Sequence, residues 1–416
     1  TMIELARNIP IFISTIDSFV KGEPDAVLLV EFSGDDLGSL KEKLQELDTM
    51  MSDLGYPKAI IEAIDPVFQS KITEVRQQGL NIMMSMKTSG KPVSFIEDCA
   101  VPLENLAEYT HRLTEVFKKY GTDGTWYAHA SVGCLHVRPV LDMKKGEDVK
   151  KMRAIAEEAF EMVREYKGSH SGEHGDGIVR SEFHEKMYGE RLVKAFSEIK
   201  GLFDPKVLLN PGRIVDPPKM DDRSLFRYKP NYQATEITTA LDWSDWTGLS
   251  GAVEMCNNNG ACRKVSAGVM CPSYRVTKEE KHVTRGRANT LRLALSGQLG
   301  PDAISSKEMS ETMELCVSCK ACRRECPTGV DMAKMKIEHK SAYVQKNGLS
   351  IRDRLVGYLP KYAKIASKYH YLSNLRNKLP GLKLFTEQKL GFYKNDFTRN
   401  LNHLLTPVSY THLRAH

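Results

Sequence analysis

Residues 316–327 read CVSCKACRRECP, with four cysteines at the spacing C-x2-C-x2-C-x3-C-P. Three thiolates three residues apart can wrap one cubane iron–sulfur cluster, and a fourth before proline turns away to reach a second cluster. A zinc site is the alternative, but pairs of C-x2-C leave no use for a third thiolate so close. The spacing therefore favours iron–sulfur clusters, carried by a mostly helical segment.

A second, similar cysteine pattern lies upstream, in residues 256–272. It reads C-x2-N-x2-C-x8-C-P, with Asn259 in the middle position and a longer arm to the Cys-Pro. Because the Cys-Pro cysteine of one motif ligates the cluster of the other, this internal repeat predicts two groups of ligands. We expect a [4Fe–4S] cluster on Cys271, Cys316, Cys319 and Cys322, and a second site on Cys256, Cys262 and Cys326.

The second site lacks one thiolate of the repeat. Asparagine is a poor iron ligand, so three outcomes stay open: a [3Fe–4S] cluster, a cluster with another ligand, or no cluster. Between the motifs, Arg285-Gly286-Arg287 opens a predicted helix that runs to Leu295. Positive charge near a cluster favours its reduced state and raises its potential, while an ordinary solvated helix start is the equal alternative.

Length and composition exclude several classes of protein. A chain of 416 residues with 41% hydrophobic and 27% charged residues is typical of two or three globular domains. It contains no apolar run of ~18 residues and no secretion signal, which predicts a cytoplasmic protein. Seven of the nine cysteines lie between Cys256 and Cys326, so they do not form a disulfide framework. The net charge of +6 is spread along the chain and indicates no nucleic-acid partner.

Residues 24–215 alternate strand-like and helix-like segments. This order, with one hairpin, predicts an antiparallel α+β fold rather than a doubly wound parallel sheet. The chain has no glycine-rich loop for a nucleotide phosphate. The predicted strands are 26–32, 92–98 and 125–140, the last broken at Gly133, and the predicted helices are 35–54, 102–120 and 146–166.

Two histidines and a glycine-rich segment form a candidate site. The string HASVGCLH begins at His129 and ends at His136, so a hairpin would turn both rings toward one pocket. Residues 168–177 read GSHSGEHGDG, and their glycines allow the backbone to approach a ligand around Glu173 and His174. Two histidines and a carboxylate can ligate a metal that keeps open positions for substrate. His174 would then be free to act as a base. From spacing alone, histidines of the hydrophobic core are the favoured alternative.

Three segments carry a resemblance to a known family. Residues 171–180 (SGEHGDGIVR) and 203–213 (FDPKVLLNPGR) resemble the carboxy-terminal half of FAD-linked oxidases, which include the D-lactate, glycolate and D-2-hydroxyglutarate dehydrogenases. Residues 92–102 (PVSFIEDCAVP) are similar to the substrate-cap strand of that family. The ferredoxin-like cysteine segment narrows the resemblance to bacterial fusion proteins in which flavin, cap and cluster domains share one polypeptide.

The resemblance implies roles for five residues. In metal-dependent members a divalent metal, here expected to be zinc, binds beside a base that takes the proton of the substrate hydroxyl. The ligands correspond to His129, His136 and Glu173, the base to His174, and the stretch that approaches FAD contains Asn210.

This sequence departs from the usual family motif G-H-x-G-D-G-N-x-H. Ala128 precedes the first histidine, and residues 131–134 read SVGC without the acidic turn residue. The expected fold class is α+β, an antiparallel FAD-oxidase cap followed by a mostly helical ferredoxin-like domain. FAD is expected to be held mainly by a domain that precedes the cap, so we interpret the chain as the central part of a longer enzyme. The expected segments are 1–215 (cap), 216–250 (linker), 251–348 (dicluster domain), 349–407 (helical connector) and 408–416 (a non-native tail, VSYTHLRAH).

The resemblance implies the oxidation of a D-2-hydroxy acid to the 2-oxo acid by FAD. Electrons would then pass through the iron–sulfur clusters to a quinone, a cytochrome or a partner protein. A homo-oligomer and peripheral association with the inner face of the cytoplasmic membrane are compatible with this function. The alternative is an electron-transfer subunit of a glycolate-oxidase-like or heterodisulfide-reductase-like complex with no substrate site. The cysteine motifs fit both hypotheses, but the EHGDG segment and the two histidines fit only the enzyme.

Overall fold

The computed structural model describes residues 2–266, 268–369, 371, 375–376 and 378–390. The chain forms two compact units, which divide between His339 and Lys340. Every residue with a predicted role in a site belongs to the first unit. The predicted tail, 408–416, and the last part of the predicted connector, 391–407, lie outside the described residues.

The amino-terminal region is helical. Asp36 caps the third helix, because its carboxylate accepts a hydrogen bond of 2.7 Å from the backbone N–H of Ser39. The other helices of this region share a small apolar core that includes Ile16 and Ile82. The helices are α1 (Met2–Arg7), α2 (Ile13–Phe19), α3 (Leu37–Asp53), α4 (Pro66–Gln77) and α5 (Gly79–Met83).

The prediction of a strand over residues 26–32 is wrong. The structure shows no strand in this segment, and its valine and leucine side chains are exposed, with Leu28 at 74%. A strand needs a neighbour to satisfy its backbone groups, and none of the described strands lies beside residues 26–32. Its β-branched composition alone was therefore an insufficient signal.

Two small antiparallel sheets follow and confirm the predicted α+β class. Their strand orders are β1-β6-β3 and β2-β5-β4. The predicted strand over 125–140 is divided into four short strands with a break at Gly133, and the one predicted over 92–98 forms a ladder only at its first residue. The strands are β1 (Lys91–Pro92), β2 (Cys99–Ala100), β3 (Gly124–Thr125), β4 (Ala128–His129), β5 (Cys134–Leu135) and β6 (Arg138–Leu141).

Two long helices, α6 (Leu106–Lys119) and α7 (Gly146–Glu165), contribute to the core with these sheets, as their apolar periodicity predicts. Tyr109 and Leu113 of α6 and Ile155 of α7 are fully buried in the core that they share with β5 and β6. The sheets therefore have one rigid, apolar face, and their short connections are free to carry polar side chains.

Helices also dominate the cysteine-rich part of the first unit. The helix predicted to open with Arg285-Gly286-Arg287 begins at Thr284. The long connection before it is tied down by buried Glu338, whose carboxylate accepts the N–H groups of Ala240, Leu241 and the Trp243 ring. Helices α8 (His184–Tyr188) and α9 (Glu190–Phe203) follow the sheets and precede the cysteine-rich part. The helices of the cysteine-rich part are α10 (Leu249–Glu254), α11 (Pro272–Thr277), α12 (Thr284–Leu295), α13 (Lys307–Glu314), α14 (Ala321–Glu325) and α15 (Met332–Asn347).

The second unit contains short helices. Ser350 caps the first of them by accepting the backbone N–H of Asp353 at 3.1 Å. Across the described part of the chain, every helix is too short or too polar to span a membrane. The helices are α16 (Ile351–Gly357), α17 (Leu359–Lys368) and α18 (Pro380–Leu390).

Candidate functional site

The hairpin of β4 and β5 brings the two predicted histidine ligands together. His129 pairs with Cys134 across the hairpin, and the backbone N–H of His136 donates to Tyr127 at 2.7 Å. Gly133 has φ +67°, and a Cβ there would lie 2.0 Å from the carbonyl oxygen of Val101, so only glycine fits this turn. The centroids of the two imidazole rings are 5.0 Å apart.

Glu173 completes the cluster from the glycine-rich segment. Its Oε2 lies 3.5 Å from Nε2 of His129 and 3.7 Å from Nε2 of His136. Ligands on one tetrahedral zinc ion lie about 3.4 Å apart, given bonds of about 2.1 Å, so both distances from Glu173 are close to those of ligands that share an ion. His136 is buried and Glu173 is half-exposed, which leaves the outer side open to a small molecule. The residues present therefore fit a divalent metal.

The environment keeps His136 in the form that a metal needs. Burial lowers its pKa, and the nearby His174 and His129 lower it further against the opposing charge of Glu173. A neutral imidazole has a free lone pair, whereas the protonated ring cannot ligate a metal.

His174 lies beside this cluster and not in it. Its ring stacks on His136 at a centroid distance of 4.7 Å, and its Nδ1 lies 3.5 Å from Oε1 of Glu97. Glu97 is held in turn by an ion pair with Arg138. Among the described residues Nε2 of His174 forms no hydrogen bond, and the side chain is 44% exposed. Glu97 therefore orients the His174 ring at Nδ1, and Nε2 is available to a substrate.

Asp98 anchors the glycine-rich segment. Its carboxylate accepts the backbone N–H groups of Glu173 and His174, both at 2.8 Å, and its carbonyl accepts that of Gly172 at 2.7 Å. Burial opposes ionisation, but these backbone hydrogen bonds and the charges of His174 and Arg180 hold the pKa of Asp98 below its ordinary value. Sequence reasoning missed Asp98 and Glu97, although an acidic pair inside the apolar segment 92–102 was an available signal.

Arg76, at the end of α4, is a third residue that sequence reasoning missed. Its Nη2 lies 3.4 Å from Nδ1 of His129, and its guanidinium lies 5.9 Å from the centre of the Tyr127 ring. The exposed arginine adds a permanent positive charge beside the open side of the ligand cluster. Nothing in its local sequence marks it, because 53 positions separate it from His129.

A second group of histidines, His170 and His184, surrounds Asp176 of the glycine-rich segment. Asp176 is 3.0 Å from Nε2 of His170 and 2.7 Å from Nε2 of His184, and Arg180 pairs with the same carboxylate at 3.3 Å. Burial raises the pKa of Asp176, but hydrogen bonds from both imidazoles outweigh it and hold the pKa well below its usual range. Because three donors already surround this carboxylate, the group serves as a buried support for the segment.

Asn210 lies in an exposed loop after α9. Asp204 shapes the loop by accepting the backbone N–H groups of Leu208 and Leu209 at 2.9 and 2.8 Å. The loop then returns to the glycine-rich segment, where the N–H of Ile214 donates to the carbonyl of Gly177 at 3.4 Å. The residue predicted to approach FAD is thus carried by a loop that contacts the segment of Glu173. Several large apolar side chains around it are exposed, namely Leu202, Phe203, Val207, Leu208 and Leu209.

The cysteines gather in the two groups that the repeat predicts. Four thiols line one cavity, which is the arrangement that a cubane cluster needs. At the second group, burial raises the pKa of Cys262 to about 12, with smaller contributions from the neighbouring Cys256 and Cys326. The amide of Asn259 is engaged locally, with the N–H of Ala261 and with Asn257. The cavity thiols are those of Cys271, Cys316, Cys319 and Cys322.

The anchor gives a first prediction: Asp98→Asn should lower the free energy of unfolding at pH 7 by about 2–4 kcal/mol. The amide accepts at only one oxygen, so one of two buried N–H groups would lose a charge-assisted partner. The folded-state pKa of Asp98 is lowered, so its stabilisation is present above the unfolded pKa of about 3.9. As the pH falls from there through the folded pKa, the difference between the two proteins should vanish.

Urea unfolding followed by circular dichroism measures this difference. Asp123→Asn, at an exposed position, is the matched control and should unfold like the wild type. An Asp98→Asn protein of undiminished stability at pH 7 would show that the loop is held by other contacts.

Comparison with known proteins matches both halves of the first unit. A family model described as FAD linked oxidases, C-terminal domain, matches residues 9–214, and one described as a 4Fe-4S dicluster domain matches residues 252–330. The D-2-hydroxyglutarate dehydrogenases of Pantoea ananatis and Escherichia coli are each 27% identical over 94% of this chain. The chain spans 42% of the length of either. A D-lactate dehydrogenase of Archaeoglobus fulgidus is 34% identical over 30% of this chain and 27% of its own length.

Proposed function

Because residues 9–214 match the carboxy-terminal domain of FAD-linked oxidases and residues 252–330 match a 4Fe-4S dicluster domain, we propose that this chain oxidises a D-2-hydroxy acid to the 2-oxo acid. The observation that carries the proposal is the convergence of His129, His136 and Glu173 beside a free, oriented His174. Two of the relatives are named for D-2-hydroxyglutarate, which makes this the first substrate to test.

The three converging side chains would hold the metal, and zinc is the ion we propose. When bound, a divalent metal polarises the 2-hydroxyl and carboxylate of the acid and lowers the pKa of the hydroxyl. Arg76 stands at the open side and would pair with the substrate carboxylate, as guanidinium groups do with planar anions. Together these groups orient one face of the substrate.

His174 would then remove the hydroxyl proton at Nε2. Its Nδ1 faces Glu97, which holds the ring and stabilises the imidazolium that forms. Asp98 holds the backbone of His174 in place by accepting its N–H group. When bound, FAD accepts the hydride of the substrate carbon, and Asn210 lies on the loop that we propose approaches it.

Seven cysteines would hold the iron–sulfur clusters, four on the cavity and three at the second site. When bound, such clusters accept one electron at a time, so they connect a two-electron oxidation to an acceptor such as a quinone, a cytochrome or a protein. The sequence spacing C-x2-C-x2-C-x3-C-P supports iron–sulfur clusters over zinc, because it is the spacing of two-cluster ferredoxins.

A direct test is anaerobic titration with D-2-hydroxyglutarate of FAD-loaded protein, prepared as the longer enzyme in which the expected FAD-binding domain precedes the cap. The protein should be brown, with at least four iron and four sulfide per chain. The substrate should reduce first the flavin and then the clusters, and absorbance spectra should show the bleaching of each. L-2-hydroxyglutarate and the 2-hydroxy amide analogue should leave both oxidised, because the first presents the wrong face and the second lacks the carboxylate.

Two cysteine variants separate the clusters in this test. Cys319→Ser should remove the cluster on the cavity, and Cys256→Ser should affect only the second site. Stoichiometric zinc without sulfide would end the cluster assignment. Clusters that dithionite reduces but no 2-hydroxy acid reduces would favour the electron-transfer subunit instead.

A further inference from the structure

Arg287, on α12, is a fully buried cation. It is 0% exposed and is the bulkiest of the completely buried side chains. A guanidinium stays protonated in proteins, and a buried charge is costly unless an opposite charge compensates it. Within the described part of the chain, however, Arg287 forms no ion pair with a carboxylate. Its counter-charge must therefore come from another group.

The hydrogen bonds of Arg287 indicate where that group lies. Nε donates to the carbonyl of Thr312 at 2.9 Å, and Nη2 donates to Oγ of Ser273 at 3.1 Å. Nη1 points at Sγ of Cys271 at a distance of 3.6 Å. Arg287 also lines the cavity that holds the four thiols. The neutral contacts fix the guanidinium, and the remaining nitrogen faces the cavity.

We infer that Arg287 is the cationic partner of the cluster on Cys271, Cys316, Cys319 and Cys322 and that it raises the reduction potential of this cluster. Four thiolate ligands make such a cluster anionic, and one added electron makes it more anionic by one charge. A fixed buried cation stabilises the reduced form more than the oxidised form. The inference rests on the cluster assignment of the proposed function, but not on its substrate.

Arg285, two positions earlier, is a natural comparison. Its charge is already compensated, because Nε pairs with Glu280 at 2.7 Å, and its side chain is 22% exposed. It lies near Cys256 and Cys262 of the second site, and its own pKa is raised chiefly by Glu280. We therefore expect a weaker effect of Arg285 on the second site than of Arg287 on the first.

The backbone between the two arginines holds them in place. A Cβ at Gly286 would lie 1.9 Å from the carbonyl oxygen of Glu280, so only glycine permits this close approach. The close approach explains the glycine of the Arg-Gly-Arg sequence. A solvated helix start does not explain Arg287, because its side chain is fully buried.

The experiment is an anaerobic redox titration followed by electron paramagnetic resonance. It uses the full chain with Cys256→Ser, so that the cluster on the cavity is observed alone. Adding Arg287→Met should disfavour reduction at least tenfold, which is a shift of about −59 mV for one electron. Arg287→Lys keeps the charge and should shift the potential less. Arg285→Met is the matched control and should shift it less than Arg287→Met.

Iron and sulfide are measured in each variant before titration. A cluster with wild-type potential in Arg287→Met would overturn the inference. If that variant assembles no cluster while Arg287→Lys does, the charge is required and the inference stands. Loss of the cluster in both would mean that the geometry of the guanidinium matters rather than its charge, which contradicts it. Absence of iron from the parent protein would instead refute the cluster assignment itself.

Discussion

His174→Ala is expected to slow flavin reduction by D-2-hydroxyglutarate about 10²- to 10⁴-fold, the usual effect of losing a positioned general base. The expectation follows from the ring itself, which is oriented by Glu97 at Nδ1 and free at Nε2. Because its side chain is 44% exposed, its removal should leave the fold and the cluster content unchanged. Stopped-flow absorbance of FAD-loaded protein measures the chemical step directly.

Two controls make this result specific. Added imidazole should restore part of the rate in His174→Ala, because the vacated position opens to solvent. His111→Ala, at an exposed position on α6, should react like the wild type. A His174→Ala protein whose flavin is still reduced at the wild-type rate would show that another group takes the proton. His170 is unsuitable as a control, because it is fully buried against Asp176.

Glu173→Gln is expected to lower the affinity for Zn²⁺ more than 100-fold and to abolish turnover. Loss of a residue that only supports a metal ligand already costs about 10- to 100-fold in affinity, and Glu173 would be a ligand itself. Its Oε2 is the atom that lies between the two imidazoles. Metal analysis after dialysis, together with calorimetric titration of the apoprotein, measures the loss.

The chelated wild-type protein should behave like Glu173→Gln until Zn²⁺ or Mn²⁺ is restored. Glu185→Gln is the matched control, since Glu185 is an exposed carboxylate on α8. Full metal content and activity in Glu173→Gln would show that this carboxylate is structural and does not ligate the metal.

Contacts near in sequence could be predicted from the sequence. Helices α3, α6 and α7 follow the 3.6-residue spacing of their apolar residues, and the break at Gly133 follows from a residue that tolerates positive φ. The grouping of the cysteines could also be predicted, because the repeated motif with its Cys-Pro arm indicates which thiols ligate the same cluster. These features depend on spacing and local backbone chemistry alone.

Residues 26–32 show the limit of that reasoning. Their composition predicts a strand, but a strand forms only where a partner supplies hydrogen bonds, and that partner is a matter of tertiary structure. The same limit applies to Arg76, which stands beside His129 only because α4 packs near the hairpin.

For the site, the sequence by itself determined which groups were present: two histidines around a glycine turn, a glutamate and a histidine among glycines, and seven clustered cysteines. Only the tertiary structure decided that Asp98 holds Glu173 and His174, that His170 faces inward to Asp176, and that Arg287 is buried against Cys271. The physical reason is that burial and charge compensation depend on which residues are neighbours in the folded structure. Residues as distant in sequence as Asp98 and Glu173, or Cys271 and Arg287, come into contact only when the sheets and helices have packed.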